Sequence, residues 1–272
     1  NPGPFGDEAI SGSYLQRFAF FIFFLFPIFF PNYNKKIYII FLIPIIILIY
    51  CAILFSGNKV PFLMFIIASI ILLFISLRSK KIFVFLLVAV TSIFLISYKY
   101  SYQVKYNFGN FYLKVSQVQI YLESIANNVK FGTEIYIPNT YLKEMHNGIL
   151  AFNSKKIFGG GLKSYKISCI KFSKYSCAPH PHHYHIEILV SAGIVGYFLL
   201  LTIFLKFLTT FKNSYLNKTK NNQMIFALFS TLFFIEFFPL RTTGSFFSTA
   251  NATYFFIIMS IAISLALKKT IK

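Results

Sequence analysis

Four histidines stand close together in the middle of the sequence, within the six residues 180–185 and directly before an apolar stretch. They are His180, His182, His183 and His185. Imidazole titrates near neutral pH, so one of these rings could act as a general base. Two other interpretations stay open. The tract could be a polar cap on a membrane helix, or it could bind metal, although its cysteines and histidines do not follow a standard zinc spacing.

The spacing of two glycines favours His182 as the base. Gly193 lies 11 residues further along the chain, and 11 helical steps of about 100° return to within roughly 20° of the same helix face. Gly196 follows at a spacing that permits close approach of another helix or a lipid tail. His182 is therefore expected above a smooth groove in the membrane. Glu187 is expected to pair with His183, four residues before it.

Two cysteines flank the region that leads into the histidine tract. Cys169 and Cys177 have seven residues between them, so a disulfide that braces the tract is sterically allowed. Such a bond persists only in an oxidising compartment. Cys51 lies within an apolar run and is predicted to be chemically inert.

The elements that must position this tract are membrane helices. The chain of 272 residues is 57% hydrophobic and 12% charged, with a mean hydropathy of +0.67, which is far from the composition of ordinary soluble domains. A span needs about 20 residues, and helices satisfy their own backbone groups in lipid. The sequence predicts an all-α, polytopic protein. The seven predicted spans are 14–30, 37–56, 60–77, 82–98, 186–208, 223–240 and 252–267.

Lysines in the short loops predict the orientation. They concentrate in alternate loops, which the positive-inside rule assigns to the cytoplasm. The long segment 99–185 is then external, because long loops cross the membrane largely regardless of their charge. The predicted organisation is four N-terminal spans in 1–98, a periplasmic loop in 99–185 and three C-terminal spans in 186–272. Further spans are expected upstream, because Asn1 does not follow a start methionine or a signal sequence.

The predicted periplasmic loop is strongly basic, with 11 lysines and three glutamates. Its charge fits either a solvated face or a funnel for an anionic lipid-linked pyrophosphate. Residues 108–129 and 141–152 have the pattern of amphipathic helices at a membrane surface. The glycine run 159–161 interrupts the chain, but it lacks the strand and the Lys-Ser/Thr pair of a nucleotide-binding loop.

Four stretches together resemble the O-antigen ligases and the related O-antigen polymerases. In the main signature a His, usually followed by Asn, Ser or Gln, precedes nine variable residues, a Gly, two more residues, and a Gly, Thr or Tyr. Here these positions hold His182, Gly193 and Gly196, and His183 departs from the usual amide or hydroxyl. The other three stretches are Phe5-Gly6-Asp7-Glu8 with Gly12-Ser13-Tyr14-Leu15, Lys155-Lys156-Ile-Phe-Gly159-Gly160-Gly161-Leu162, and Pro239-Leu-Arg241-Thr-Thr-Gly244-Ser245-Phe246-Phe247.

The resemblance implies a metal-independent glycosyltransferase of the bacterial inner membrane that needs no cofactor and binds no nucleic acid. The donor would be a glycan on undecaprenyl pyrophosphate and the acceptor a sugar hydroxyl of the lipid A core, with membrane lipids around them. On this resemblance His182 would be the general base. Departure of a pyrophosphate needs positive charge nearby. The candidates for binding it are Arg241, Arg17, Lys163, Lys166 and His183.

Three alternatives remain beside the ligase. An O-antigen polymerase would use the same donor with a lipid-linked repeat as acceptor. A lipid-glycan transporter would be expected to carry charged residues in the middle of its spans, whereas the two acids within the predicted spans, Glu187 and Glu236, lie near span ends. A non-catalytic membrane subunit is the third alternative.

Overall fold

The computed structural model describes residues 11–21, 35–76, 80–173, 177–215, 220–239 and 244–267. Within these residues the chain forms helices and no strand, which confirms the all-α prediction for the described part. The helices are α1 (Ser11–Phe18), α2 (Lys35–Ser56), α3 (Lys59–Ser76), α4 (Lys80–Tyr100), α5 (Tyr102–Gly109), α6 (Phe111–Phe131), α7 (Thr140–Ser154), α8 (Tyr165–Phe172), α9 (Tyr184–Tyr215), α10 (Lys220–Glu236) and α11 (Thr249–Leu267).

The chain divides into two compact units, of which the first covers 1–111, 217–235 and 269–272. Within it α2, α3 and α4 pack on one another, and α1 packs on α2 and α3. Buried aromatic side chains fill this core, and the Tyr50 hydroxyl donates a hydrogen bond to the Val90 carbonyl at 3.0 Å. The axis turns by 103° between α4 and α5. Ser101 caps α5 at this bend by accepting from the Val104 amide.

The second unit covers 112–216 and 236–268. Helix α7 packs against α8 and α9, and α9 packs against α11. Its central apolar cluster consists of Ala151, Tyr165, Cys169 and Val190. These four residues come from α7, α8 and α9, so the cluster joins the predicted periplasmic loop to the helix that follows the histidine tract.

The predicted loop helices 108–129 and 141–152 correspond to α6 and α7. The short helices α5 and α8 were not predicted, because eight residues are too few for a clear apolar period. Among the described residues, the segment Tyr184–Thr210 is long and apolar enough to cross a membrane, and α4 with α5 would be a second such span if the bent pair is counted as one. The seven-span arrangement and the division at residues 98 and 185 therefore stay predictions.

Helix α9 is broken in the middle of its apolar segment. Gly193 has φ 66° and ψ −169°, a combination that is essentially restricted to glycine. In an unbroken helix the carbonyls of residues 190 and 191 would accept from the amides of residues 194 and 195. The break separates these two pairs and leaves four backbone groups that need other partners.

Segment 156–161, which we call the glycine loop, supplies those partners. Two of its amides donate to the freed carbonyls, and two of its carbonyls accept from the freed amides. The four bonds are Gly160 N to Val190 O at 2.8 Å, Gly161 N to Ser191 O at 2.9 Å, Ile194 N to Lys156 O at 2.8 Å and Val195 N to Ile157 O at 3.2 Å. The close approach requires glycine, since a Cβ on Gly159 would lie 2.4 Å from the Ser191 carbonyl carbon and oxygen.

Candidate active site

His182 lies two residues before α9 in a left-handed backbone conformation, with φ 53°. This region is uncommon for residues other than glycine, although histidine enters it more often than most. The imidazole is half-buried, with the ring of Tyr141 edge-on at 5.5 Å and the ring of His180 at 4.3 Å between centroids. Within the described part of the chain, no residue forms a hydrogen bond with the His182 ring nitrogens.

Two contacts hold the chain just before His182. A disulfide joins Cys177 to Cys169 of α8, with the two Cα atoms 6.0 Å apart. The amide of Ala178 donates to both carboxylate oxygens of Glu144 on α7, each at 3.3 Å. The histidine tract is thus attached to two helices of its own unit before α9 begins.

Glu144 is itself held by a buried tyrosine. The hydroxyl of Tyr165 donates to the Glu144 carboxylate and, at 3.1 Å, to the Glu144 backbone carbonyl. Burial, and then the hydrogen bond and negative charge of Glu144, raise the pKa of Tyr165. The hydroxyl therefore remains a donor at all ordinary pH values, and Glu144 keeps its position below Ala178.

His183 anchors the start of α9 through both ring nitrogens. Its Nε2 lies 2.6 Å from the Pro239 carbonyl, and its Nδ1 lies 3.4 Å from the Ile186 amide. A carbonyl requires a donor and an amide requires an acceptor, so the arrangement fits the neutral ring with its proton on Nε2. The side chain acts as a helix cap. Both nitrogens are engaged within the protein, and the role of His183 in binding pyrophosphate stays a prediction.

This arrangement predicts a pH effect on stability. Burial lowers the pKa of His183 from its ordinary value of 6.5, against the opposing hydrogen bond to Pro239. The unfolded chain therefore binds a proton at this site before the folded protein does, and stability is lost as the pH falls below about 6.5. We expect His183→Asn, which keeps a capping oxygen, to lose less thermal stability than the wild type between about pH 7.5 and about pH 5.5. The two proteins differ only at this position, so equal pH profiles would contradict this role.

Glu187 does not pair with His183 as predicted. It is 3% exposed, its Oε1 accepts from the Ser245 hydroxyl at 2.6 Å, and its Oε2 accepts from the Phe246 amide at 2.5 Å. The positive charge of Lys163 also acts on this carboxylate. Glu187 satisfies the chain before α11 rather than its helical neighbour, because a buried carboxylate needs several strong donors.

His185 and Tyr184 attach the first turn of α9 to the chain after α10. His185 contacts the Tyr197 hydroxyl through Nδ1 at 2.8 Å and the Phe237 carbonyl through Nε2 at 3.1 Å. The hydroxyl of Tyr184 donates to Glu236 at 3.3 Å. Both ring nitrogens of His185 therefore have partners, as do those of His183. The ring nitrogens of His182 have no hydrogen-bond partner among the described residues.

The predicted groove of Gly193 and Gly196 below His182 is wrong. The 11-residue spacing assumes one continuous helix, but His182 precedes α9 and Gly193 interrupts it. A Cβ on Gly193 would lie 2.2 Å from the Ile157 carbonyl oxygen, so this glycine receives the glycine loop. A Cβ on Gly196 would lie 2.3 Å from the Cβ of Ala192, so this glycine admits a side chain of its own kinked helix.

The predicted cationic residues fall in different places. Lys163 (φ 57°) and Lys166 are exposed in the second unit, next to the glycine loop and in the first turn of α8. Arg17 is 7% exposed on α1 and belongs to the first unit. Arg241 lies outside the described residues.

Sequence reasoning missed Glu144, Tyr165 and Ser245. The sequence carried a signal for Glu144, which shares one face of α7 with three other residues. They are Asn147, Gly148 and Ala151, and all four are buried. Polar residues at these helical spacings indicate a face that contacts something other than lipid or water. The partners of Glu144 could not be read from the sequence, since Ala178 lies 34 residues away. Within the described part of the chain, no three His, Cys, Asp or Glu side chains form a group that could hold a metal ion.

Comparison with known families gives a match over the middle of the chain. The model of the family described as O-Antigen ligase matches residues 43–201, which is more than half of the 272 residues. The matched range includes the glycine loop, the disulfide, the histidine tract and the break in α9. No curated protein and no solved structure match the chain.

Proposed function

The chain belongs to the O-antigen ligase family, and we propose that it is a membrane glycosyltransferase that moves a glycan from undecaprenyl pyrophosphate to a sugar hydroxyl of the lipid A core. The reaction needs no metal ion or other cofactor, and it takes place on the periplasmic face of a bacterial inner membrane. The presentation of His182 carries this proposal. Both ring nitrogens of His183 and of His185 have structural partners, whereas the ring of His182 lies beside an aromatic ring.

His182 is the general base of the proposed reaction. It takes the proton of the acceptor hydroxyl while that oxygen forms a bond to the anomeric carbon of the donor glycan. The bond from the anomeric carbon to the phosphate oxygen breaks, and undecaprenyl pyrophosphate leaves with the electron pair. The disulfide, Glu144 and the His183 cap hold the base in place, which lowers the entropic cost of aligning the reactants.

Positive charge stabilises the departing pyrophosphate, and Arg241 is our first candidate for supplying it. The chain before Arg241 is attached to His183 through Pro239, and the chain after it is attached to Glu187 through Ser245. Lys163 and Lys166 are the second candidates, since both side chains are exposed in the unit that contains His182. Arg17 is the third candidate. Normal transfer by an Arg241→Ala variant, at normal protein levels, would exclude Arg241.

The proposed topology has seven spans in this chain with segment 99–185 in the periplasm. Tyr184–Thr210 supports it by length and apolar composition, and the lysine distribution supports the orientation. A single cysteine at position 130 should react with an impermeant thiol reagent from the periplasmic side, and those at 80 and 217 should not. The reverse labelling would remove the site from the periplasm.

The acceptor distinguishes the ligase from a polymerase, and a deletion strain should show which is present. Loss of the ligase leaves lipid-linked polymer in the membrane and lipid A core without O-antigen, so the banded ladder of surface lipopolysaccharide disappears. Loss of a polymerase leaves lipopolysaccharide with a single repeat attached. We expect the first pattern, with recovery on expression of the complete wild-type gene. The single-repeat pattern would instead assign the same chemistry to a lipid-linked acceptor.

A further inference from the structure

We propose that the glycine loop is inserted into the bilayer beside the broken helix, that α8 lies next to it at the membrane surface, and that their exposed apolar side chains bind the acyl chains of membrane lipids. Five large apolar side chains between residues 157 and 170 are exposed. They are Ile157 (62%), Phe158 (76%), Leu162 (75%), Ile167 (66%) and Ile170 (64%). An aqueous loop would expose polar side chains at most of these positions.

The break in α9 fixes the depth of the glycine loop. Gly193 lies six residues beyond Glu187, which is about 9 Å along a helix axis, and it lies inside the apolar segment Tyr184–Thr210. Lipid offers no partner to the backbone groups that the break exposes, so the protein must provide them. The glycine loop provides them through its bonds to residues 190–195. Its backbone therefore reaches the same depth as the break.

The chain that leaves the glycine loop toward Lys163 lies nearer the membrane surface. The Gly160 amide donates to the Val190 carbonyl, whereas the Ile157 carbonyl accepts from the Val195 amide further along α9. The chain thus rises from Ile157 and Phe158 toward Lys163. Lys156 lies at the deeper end, where its long apolar stem allows the ammonium group to reach the headgroups.

The neighbouring surface of α9 indicates the occupant. Large apolar side chains just beyond the break are also exposed, among them Ile194 (53%), Phe198 (63%) and Leu199 (59%). Such side chains on a spanning helix face acyl chains. The exposed residues of the glycine loop are bonded to this part of α9, so one lipid environment accommodates both. The inference rests on the proposed membrane span and does not depend on glycosyl transfer.

The absence of tryptophan from the chain permits a direct test. Phe158→Trp, Leu162→Trp and Tyr136→Trp each introduce a single fluorophore at an exposed position; Tyr136 is 64% exposed in the segment between α6 and α7. The full chain is reconstituted into phosphatidylcholine vesicles whose acyl chains carry bromine near the headgroup or near the bilayer centre. Bromine quenches tryptophan on contact, and aqueous iodide reports access from water.

We expect Phe158→Trp to lose most of its emission to brominated acyl chains and to be insensitive to iodide. Leu162→Trp should respond more to the shallow bromines than to the deep ones, and Tyr136→Trp should respond chiefly to iodide. Ile157→Trp replaces Phe158→Trp if the latter fails to form the Cys169–Cys177 disulfide. Iodide quenching at position 158 would place the loop in water, and resistance to both quenchers would mean that protein covers it; either result would overturn the proposal. Transfer assays on the same variants report separately on the proposed function.

Discussion

His182→Asn is expected to reduce glycan transfer by roughly 10²–10⁴-fold, the usual contribution of a general base, while the amount of folded protein in the membrane stays normal. Asparagine is chosen because it adopts left-handed backbone conformations readily, and His182 has φ 53°. The substitution therefore removes the base and keeps the local fold. Single-turnover transfer of a lipid-linked glycan by reconstituted, complete protein measures the effect.

Two further variants separate chemistry from conformation. His182→Gly removes any strain of the left-handed backbone. If the role of His182 were purely conformational, this variant would stay active. If His182 is the base, this variant is inactive, as His182→Asn is. His146→Asn is the matched control, because His146 bonds the Tyr121 hydroxyl at 2.9 Å in the same unit and takes no part in the proposed reaction. Wild-type turnover by His182→Asn would refute the general-base mechanism.

A chelator tests the remaining interpretation of the histidine tract. If the tract held a catalytic metal, EDTA would inactivate the protein, added metal would restore it, and removal of any ligand would cause similar damage. We expect full transfer in excess EDTA, provided that the assay components need no divalent ion. We also expect His180→Ala to be milder than His182→Asn. Reversible inactivation by EDTA would favour a metal site.

The helical content was predictable because each element depends mainly on its own residues. Runs such as 37–56 and 60–77 are apolar throughout, and the lysines at their ends interrupt them, so α2 and α3 follow from local composition. The loop helices α6 and α7 also show their period locally. Helices α5 and α8 depend instead on contacts outside their eight residues, such as the packing of Tyr165 and Cys169 against α7 and α9. Their existence is a property of the tertiary structure.

The candidate site was predictable in its residue types and not in its connections. The histidine tract drew attention because four titratable rings stand beside an apolar segment. The partners that hold it are distant in sequence, as with Glu187 and Ser245, which are 58 residues apart. Helical spacing suggested that Glu187 would pair with His183, but two donors from the chain before α11 outcompete a neighbouring imidazole for a buried carboxylate. Such competition between local and distant partners cannot be resolved from spacing.

The structural role of Gly193 could not be read from its spacing either. Its position in the structure leads to the second prediction of a large effect, on stability. The spacing predicted Gly193 on one face of a continuous helix, whereas the structure places it in the break. Gly193→Ala should destabilise the second unit by about 2–6 kcal/mol, from the strained backbone and the contact with the Ile157 carbonyl together. Alanine also favours a continuous helix, in which residues 194 and 195 would return to the carbonyls of 190 and 191 and release the glycine loop.

Gly161→Ala provides the matched control for that prediction. Gly161 also has a positive φ, at 94°, but a Cβ there meets nothing within 4 Å, so the control carries backbone strain without the steric conflict. Purified protein in detergent should show a lower unfolding temperature for Gly193→Ala than for Gly161→Ala. Limited trypsin digestion should cut after Lys155 and Lys156 faster in Gly193→Ala, because the released loop exposes its backbone to the protease. Equal cleavage rates in the two variants would mean that the four backbone bonds do not hold the glycine loop in the break.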